Sequence, residues 1–331
     1  MRSHGYVSLT LAFVAIFTFG AVAPFDYIYQ LQVLSLAGLI ALQAIGLNLL
    51  LGGTGQISLG QVGFMGVGAY TSGALLKLEG WPFLAAFVVA TLLAGVFGFL
   101  VGYIALRLRG HYLAMATLAF GGIVFGLINE IEITGGPLGM LRIPPMDFAG
   151  FRILSPHDKY LVIWGITAVA TAAVISLLHS RVGRALAAIR DDEVAASAMG
   201  INVARYKIAI FVFASMLSGM AGSLYASYLG GLAPLRFGIL ESVMLLVVVA
   251  VGGLRSVSGT VFAAIILTAL PEFLRQYEEY RPTAYAVALI LLIILFPGGI
   301  GRVLQLTELA IARSLAAMLR GAAAARPRKD A

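Results

Sequence analysis

The 331-residue chain is 60% hydrophobic and only 11% charged, and its mean hydropathy is +0.98. Soluble domains carry about 25% charged residues, so this composition argues against a soluble protein and predicts an integral membrane protein. The absence of cysteine excludes disulfides, thiol catalysis and thiolate metal sites, and basic cytoplasmic loops explain the net charge of +7 better than nucleic-acid binding does.

Apolar runs long enough to cross a bilayer, or nearly so, recur along the whole chain. About 20 residues of helix span the hydrocarbon core, whereas a closed barrel needs alternating strands, which this sequence lacks. The first run, with Ala21-Val22-Ala23 at its end, resembles a signal peptide, but its length and Pro24 favour a retained helix. We therefore predict an all-α polytopic membrane protein with about ten transmembrane helices, at roughly 7–23, 32–51, 57–76, 83–106, 110–128, 160–178, 208–230, 238–251, 258–275 and 283–300.

Ten spans place both termini on one side of the membrane. If that side is the cytoplasm, 15 of the 22 basic residues lie inside, and 10 of the 15 acidic residues lie outside. Cytoplasmic loops of membrane proteins are enriched in Lys and Arg. The charge distribution therefore predicts an N-in/C-in topology.

The second and third runs meet in a glycine-rich stretch, residues 52–70, that reads GGTGQISLGQVGFMGVGAY. Glycines beside a span either let helices approach closely or break a helix and expose polar backbone groups to a pathway. Both interpretations stay open, and the same Gly-Gly pair recurs at 252–253. The break favours a tentative substrate pathway formed by Gly55, Gln56, Ser58, Gln61, Phe64 and Met65.

Two longer loops separate the runs. The outer loop, 129–159, is rich in glycine and proline and is predicted to be irregular. The inner loop, 179–207, contains an alanine-rich segment from Arg184 to Met199 that predicts one helix ending at Gly200. Its apolar residues at helical spacing, expected on one face, are Leu186, Ile189, Ala196 and Met199. This helix either lies among lipid headgroups or docks a partner, and the acidic run 191–193 disfavours anionic lipid.

Motifs for catalysis are absent from the sequence. It has no G-x-x-x-x-G-K-[ST] phosphate loop, no H-E-x-x-H and no G-x-S-x-G, and its four histidines lack metal-ligand spacing. We therefore expect no ATP site, no catalytic residue, no metal and no cofactor. Glu241 and Glu272, near the ends of spans, are interpreted as interfacial anchors.

The segment from Leu47 to Leu75, LNLLLGGTGQISLGQVGFMGVGAYTSGAL, closely resembles the permease subunits of bacterial branched-chain amino-acid ABC transporters, and among them the LivM type. The inner loop GRALAAIRDDEVAASAMGINVARYK resembles the loop by which such permeases dock on their ATPases. Two departures are Gln61, where a histidine is common, and Val194, at the glutamate position of the usual Glu-Ala-Ala-x-x-x-Gly motif. The resemblance covers about residues 36–300.

The resemblance implies a permease domain over residues 1–300 and a basic, alanine-rich cytoplasmic tail over 301–331. It implies an importer in the bacterial inner membrane with two ABC ATPase subunits, a second permease of the LivH type and a periplasmic binding protein. The substrates would be branched-chain or similar amino acids. A stand-alone channel or secondary carrier for a small neutral solute such as urea is the alternative. The ATPase-coupling residues implied by the resemblance are Arg184, Leu186, Ile189, Asp192, Glu193, Ala195, Ala196, Met199 and Gly200.

Overall fold

A computed structural model describes residues 5–22, 27–105, 110–148, 151–274, 281–296, 298–304 and 306. Its helices are α1 Gly5–Val22, α2 Ile28–Thr54, α3 Gln61–Leu78, α4 Phe83–Ala105, α5 His111–Glu130, α6 Pro156–His179, α7 Arg181–Asp191, α8 Glu193–Ala198, α9 Val203–Leu229, α10 Ile239–Gly252, α11 Val257–Phe273 and α12 Arg281–Leu295. Most of the tail predicted for 301–331 lies outside the described residues.

A helix lies in each of the ten predicted apolar runs, which confirms the all-α membrane class. Five helices, α2, α4, α5, α6 and α9, have the length and hydropathy to cross a membrane. The helices α10, α11 and α12 are apolar but shorter, with 14, 17 and 15 residues. The number of complete spans and their orientation therefore stay predictions.

The outer loop is less irregular than predicted. It contains the two-residue strands β1 Met140–Leu141, β2 Asp147–Phe148 and β3 Phe151–Arg152, and β4 Gly231–Leu232 follows α9. Strands β2 and β3 pair with each other, and β1 pairs antiparallel with β4, so this loop is fastened to the α9–α10 connection. We call this side of the molecule the strand end and the opposite side, which carries α7 and α8, the coupling end.

The core is built around α2 and α9. More than half of the residues of α2 are buried, and α9 packs along both α3 and α4. Glycines make this packing possible: a Cβ on Gly68 of α3 would lie only 2.2 Å from the carbonyl oxygen of Gly219 on α9. Small residues at helix crossings let the two backbones approach closely.

The hairpin formed by α10 and α11 turns at the coupling end. The turn lies against α2, because a Cβ on Gly52 would contact the carbonyl oxygen of Leu254. Residue Gly299, beyond α12, also lies against Gly253. The two Gly-Gly pairs noted in the sequence therefore meet at the same end of the molecule.

Candidate functional site

The helix break predicted in the glycine-rich stretch is present. Helix α2 ends at Thr54, Gly55 adopts a left-handed conformation with φ of 72°, and α3 begins only at Gln61. The side-chain nitrogen of Gln43 donates to the backbone oxygen of Gln61 at 3.4 Å, so the start of α3 lies level with Gln43. At 1.5 Å per residue, that is about 16 Å from the end of α2. The chain thus re-enters the bundle in a non-helical conformation before α3 starts.

The polar side chains of this re-entrant segment bond to protein groups. Gln61 donates to the hydroxyl of Ser58 at 3.3 Å and accepts from the hydroxyl of Ser218 at 2.7 Å. Gln56 accepts from Thr54 at 2.9 Å. All three predicted polar pathway residues, Gln56, Ser58 and Gln61, are buried. Buried polar groups require such partners, so these side chains hold the break together.

The two apolar residues predicted for the pathway have different surroundings. Phe64 is buried and stacks on Phe120, with ring centroids 4.6 Å apart. Met65 is partly exposed and lines a cavity of about 430 Å³. Of the six predicted pathway residues, Met65 alone lines this cavity, while Gly55 lies at the exposed coupling end.

The cavity lies between α2, α3, α9, α10, α11 and α12. Its inner part is apolar, with Gln43 as the buried polar exception. Toward the strand end, Arg236 and Glu241 lie beside it, with 3.7 Å between guanidinium nitrogen and carboxylate oxygen. Glu241 was predicted only as an anchor, and neither Gln43 nor Arg236 was predicted for a site, because the seven helices α3 to α9 separate these two residues along the chain.

The inner loop forms two helices where one was predicted. Helix α7 ends at Asp191, and Asp192 is extended, with φ of −159° and ψ of 115°. The Asp192 carboxylate accepts from the backbone nitrogens of Val194 and Ala195, at 2.8 and 3.0 Å, and so caps α8. A capping aspartate stabilises a helix start by about 1 kcal/mol, which explains why an alanine-rich run divides here.

The shared apolar face predicted for this loop is also wrong in part. Leu186, Ile189 and Ala196 are buried against the protein, but Met199 is 83% exposed. The break at Asp192 rotates α8 relative to α7, so helical spacing does not carry across it. Arg184, Asp192, Glu193, Ala195 and Gly200 are exposed, and Gly200 ends the segment with φ of 83°.

Helix α7 is joined to the end of α2. Arg190 donates from Nη1 to the carbonyl oxygen of Gly52 at 2.5 Å, and Leu186 lies beside Gly53. Burial lowers the pKa of the Arg190 guanidinium from its usual value, and nearby Arg255 lowers it further. Arginine nevertheless stays protonated in proteins. A displacement of α7 would therefore act directly on the glycine break.

A second link joins α2 to the α10–α11 turn. The side-chain nitrogen of Asn48 donates to the carbonyl oxygen of Gly253 at 2.9 Å and to the hydroxyl of Thr260 at 2.8 Å. Asn48 is buried one turn before the Gly-Gly pair of α2. The coupling loop, the re-entrant segment and the turn of α10–α11 thus form one continuous set of contacts.

Comparisons with known proteins place this geometry in context. Residues 29–296 match the family described as branched-chain amino acid transport system, permease component. The chain is 34% identical over 280 residues to the high-affinity branched-chain amino acid transport permease LivM of Escherichia coli, and 33% identical to LivM of Salmonella typhimurium. Each alignment covers 77% of this chain and 66% of the relative, just under two thirds of its length.

A second type of permease is also similar. The permease LivH of Escherichia coli is 27% identical over 299 residues, covering 83% of this chain and 96% of LivH. No solved structure shows a significant match.

Proposed function

The chain belongs to the family of branched-chain amino acid transport system permease components, and from that premise we propose that it is the membrane-spanning subunit of an ABC importer. It moves branched-chain or similar amino acids across the bacterial inner membrane into the cytoplasm. Separate ATPase subunits hydrolyse ATP, since the chain carries no phosphate-loop motif. The coupling end faces the cytoplasm, with ten spans in the N-in/C-in topology.

The observation that carries this proposal is the α7–α8 pair at the coupling end. Its inner face is packed on the protein, while Val194 and Met199 of the outer face are 75% and 83% exposed. Exposed apolar side chains rimmed by polar residues are typical of protein–protein or membrane interaction sites, and the exposed acidic run 191–193 favours a protein partner over anionic lipid. The Asp192 cap stabilises the start of α8, and the Lys207–Glu193 ion pair joins α8 to α9.

The same pair of helices explains how ATP hydrolysis reaches the pathway. An ATPase that pushes on α8 displaces α7, and α7 is bonded to α2 through Arg190 and Gly52. Asn48 passes the displacement to the α10–α11 turn. The helices around the cavity then switch between two packings, as rigid bodies do in alternating access.

The complete importer contains two ATPases, a LivH-type permease and a periplasmic binding protein besides this chain. The substrate arrives from the binding protein at the strand end, where the β1–β4 pair and the outer loop form the protein surface. The partner permease and the lipid bilayer cover the exposed apolar faces of α4 and α5, which include Leu92, Val96, Met115 and Ile123.

The test is co-purification of the assembly from host membranes with the native chain and with Val194→Asp/Met199→Asp. Both side chains are exposed, so the substitutions leave the fold intact. We expect a P-loop ATPase to accompany the native chain and to be lost from the double variant. Leu235→Asp, at an 81% exposed site of the strand end, is the matched control and should keep the ATPase.

Two results would overturn the proposal. The native chain could purify without any ATPase and still transport solute, which is the behaviour of a stand-alone carrier. Alternatively, the double variant could retain the ATPase in full, which would exclude α8 as the docking surface.

A further inference from the structure

We infer that the cavity between α2, α3 and α9–α12 is a binding site for the zwitterion of an aliphatic α-amino acid within the permease itself. The inference rests on the proposed function and deepens it, because it names the groups of this chain that hold the substrate. Neither the family match nor the relatives assign such a site.

The inner part of the cavity suits a branched aliphatic side chain. Its volume of about 430 Å³ lies within the range of small-molecule sites, about 300–1,000 Å³. Burying a leucine-sized side chain there contributes favourably, whereas a charged side chain would lose its hydration without a partner. The apolar side chains of this part are Leu36, Leu39, Ile40, Val62, Met65, Leu245, Val248 and Leu267.

The outer part of the cavity supplies one charge of each sign. Arg236 and Glu241 are 3.7 Å apart, beyond hydrogen-bond distance, and their side chains are 68% and 43% exposed. Charge-assisted hydrogen bonds are shorter, about 2.7–2.9 Å. An amino acid can therefore place its carboxylate on Arg236 and its ammonium on Glu241 without breaking a closed pair. A net-neutral ligand also leaves the net charge of this pair unchanged.

The cavity is closed toward the coupling end. Below Gln43, the buried residues Leu47 and Asn48 of α2 follow, and Asn48 is bonded to Gly253 and Thr260. A ligand therefore enters the cavity from the strand end, which is the side at which a binding protein releases substrate. Release of the ligand toward the coupling end requires Leu47 and Asn48 to move away from the α10–α11 turn. Helix α7 drives this movement through its bond from Arg190 to Gly52.

The absence of cysteine allows a direct test. A single cysteine at Met65→Cys or Val248→Cys in the cavity becomes the only target in this chain for a small methanethiosulfonate reagent, and labelling is read on the separated chain. Leu138→Cys, at an 87% exposed site of the outer loop, is the control outside the cavity. Labelling rates are measured on the complete transporter in nanodiscs without nucleotide, with and without leucine.

Leucine should slow labelling of both cavity cysteines by about tenfold when present at about ten times its Kd. Leucinamide lacks the carboxylate, and 4-methylpentanoate lacks the ammonium, so neither should protect. Adding Arg236→Gln should abolish protection by leucine, and labelling of Leu138→Cys should never respond. Protection by 4-methylpentanoate equal to that by leucine would show a cavity that accepts any apolar solute and would overturn the inference.

The outcome separates this inference from the proposed function. ATP-driven leucine uptake by the native assembly in proteoliposomes, supplied with its binding protein, tests the function alone. If uptake occurs while leucine protects neither cavity cysteine, the importer remains and the binding site is refuted. If the two cysteine variants retain native melting temperatures, loss of folding cannot account for the result.

Discussion

Replacing Asn48 by alanine tests the link between α2 and the α10–α11 turn. The change removes two hydrogen bonds from a buried position, one to Gly253 at 2.9 Å and one to Thr260 at 2.8 Å. Both acceptors keep another bond, because the Gly253 oxygen also accepts from the Ser256 nitrogen and Thr260 donates to the Ser256 oxygen. With about 1 kcal/mol for each lost bond, Asn48→Ala should lower the free energy of unfolding by about 2 kcal/mol.

Asn48→Asp should be more damaging than Asn48→Ala. The shape of the side chain is retained, but a carboxylate cannot donate to the Gly253 oxygen and carries a charge into a buried site. Such a group costs more than a lost hydrogen bond, so we expect a reduction above about 3 kcal/mol. Thermal unfolding of the detergent-solubilised protein ranks the two variants.

The control for both is Ser215→Ala, on α9. Ser215 is also buried, and its hydroxyl donates to the Phe211 oxygen one turn earlier in the same helix. Its removal should cost well under the loss at Asn48, because no hydrogen bond between helices is broken. A double-mutant cycle with Thr260→Val should give a coupling energy of about 1 kcal/mol. Equal melting temperatures for Asn48→Ala and Ser215→Ala, with no coupling, would refute the link.

Two further substitutions test the interior. Gly68→Ala should destabilise the protein by about 3 kcal/mol or more, because its Cβ would lie 2.2 Å from the Gly219 oxygen. The control is Gly122→Ala: a Cβ there would have no neighbouring atom within 4 Å, so this variant should be neutral or slightly stabilised in the same melting assay. Gln61→Leu should lower the free energy of unfolding by about 2 kcal/mol through loss of the bonds to Ser218 and Ser58. Adding Ser218→Ala to Gln61→Leu should lower it almost no further. If the losses of the two single variants add in full, the bond between Gln61 and Ser218 is contradicted.

The helices were predictable because each lies in an apolar run of spanning length or close to it. The glycine break was also predictable, since Gly55 takes a left-handed conformation that other residues rarely adopt. The break inside the coupling loop was not. Alanine-rich composition favours one helix, and only the side-chain cap at Asp192 divides it.

The roles of the polar residues near the break depend on three-dimensional contacts. Gln61 and Ser58 were predicted to face a pathway because polar groups in a span are often functional. In the fold Gln61 bonds both to Ser58 and to Ser218, which lies far away in the chain. The cavity brings Gln43 together with Arg236 and Glu241, and no local pattern in the sequence connects these positions.

The late completion of the surface on which α3 packs has a consequence for biosynthesis. It has 18 residues, and its hydropathy falls short of that of the five helices that qualify as spans. Its glycines pack on α9, which is completed about 150 residues later in the chain. At about 5–20 residues per second, α3 waits roughly 8–30 s for this surface. During that interval α3 has α4 and α5 as neighbours but lacks the partner of its glycines. The order of synthesis, and not only the final packing, therefore constrains this sequence.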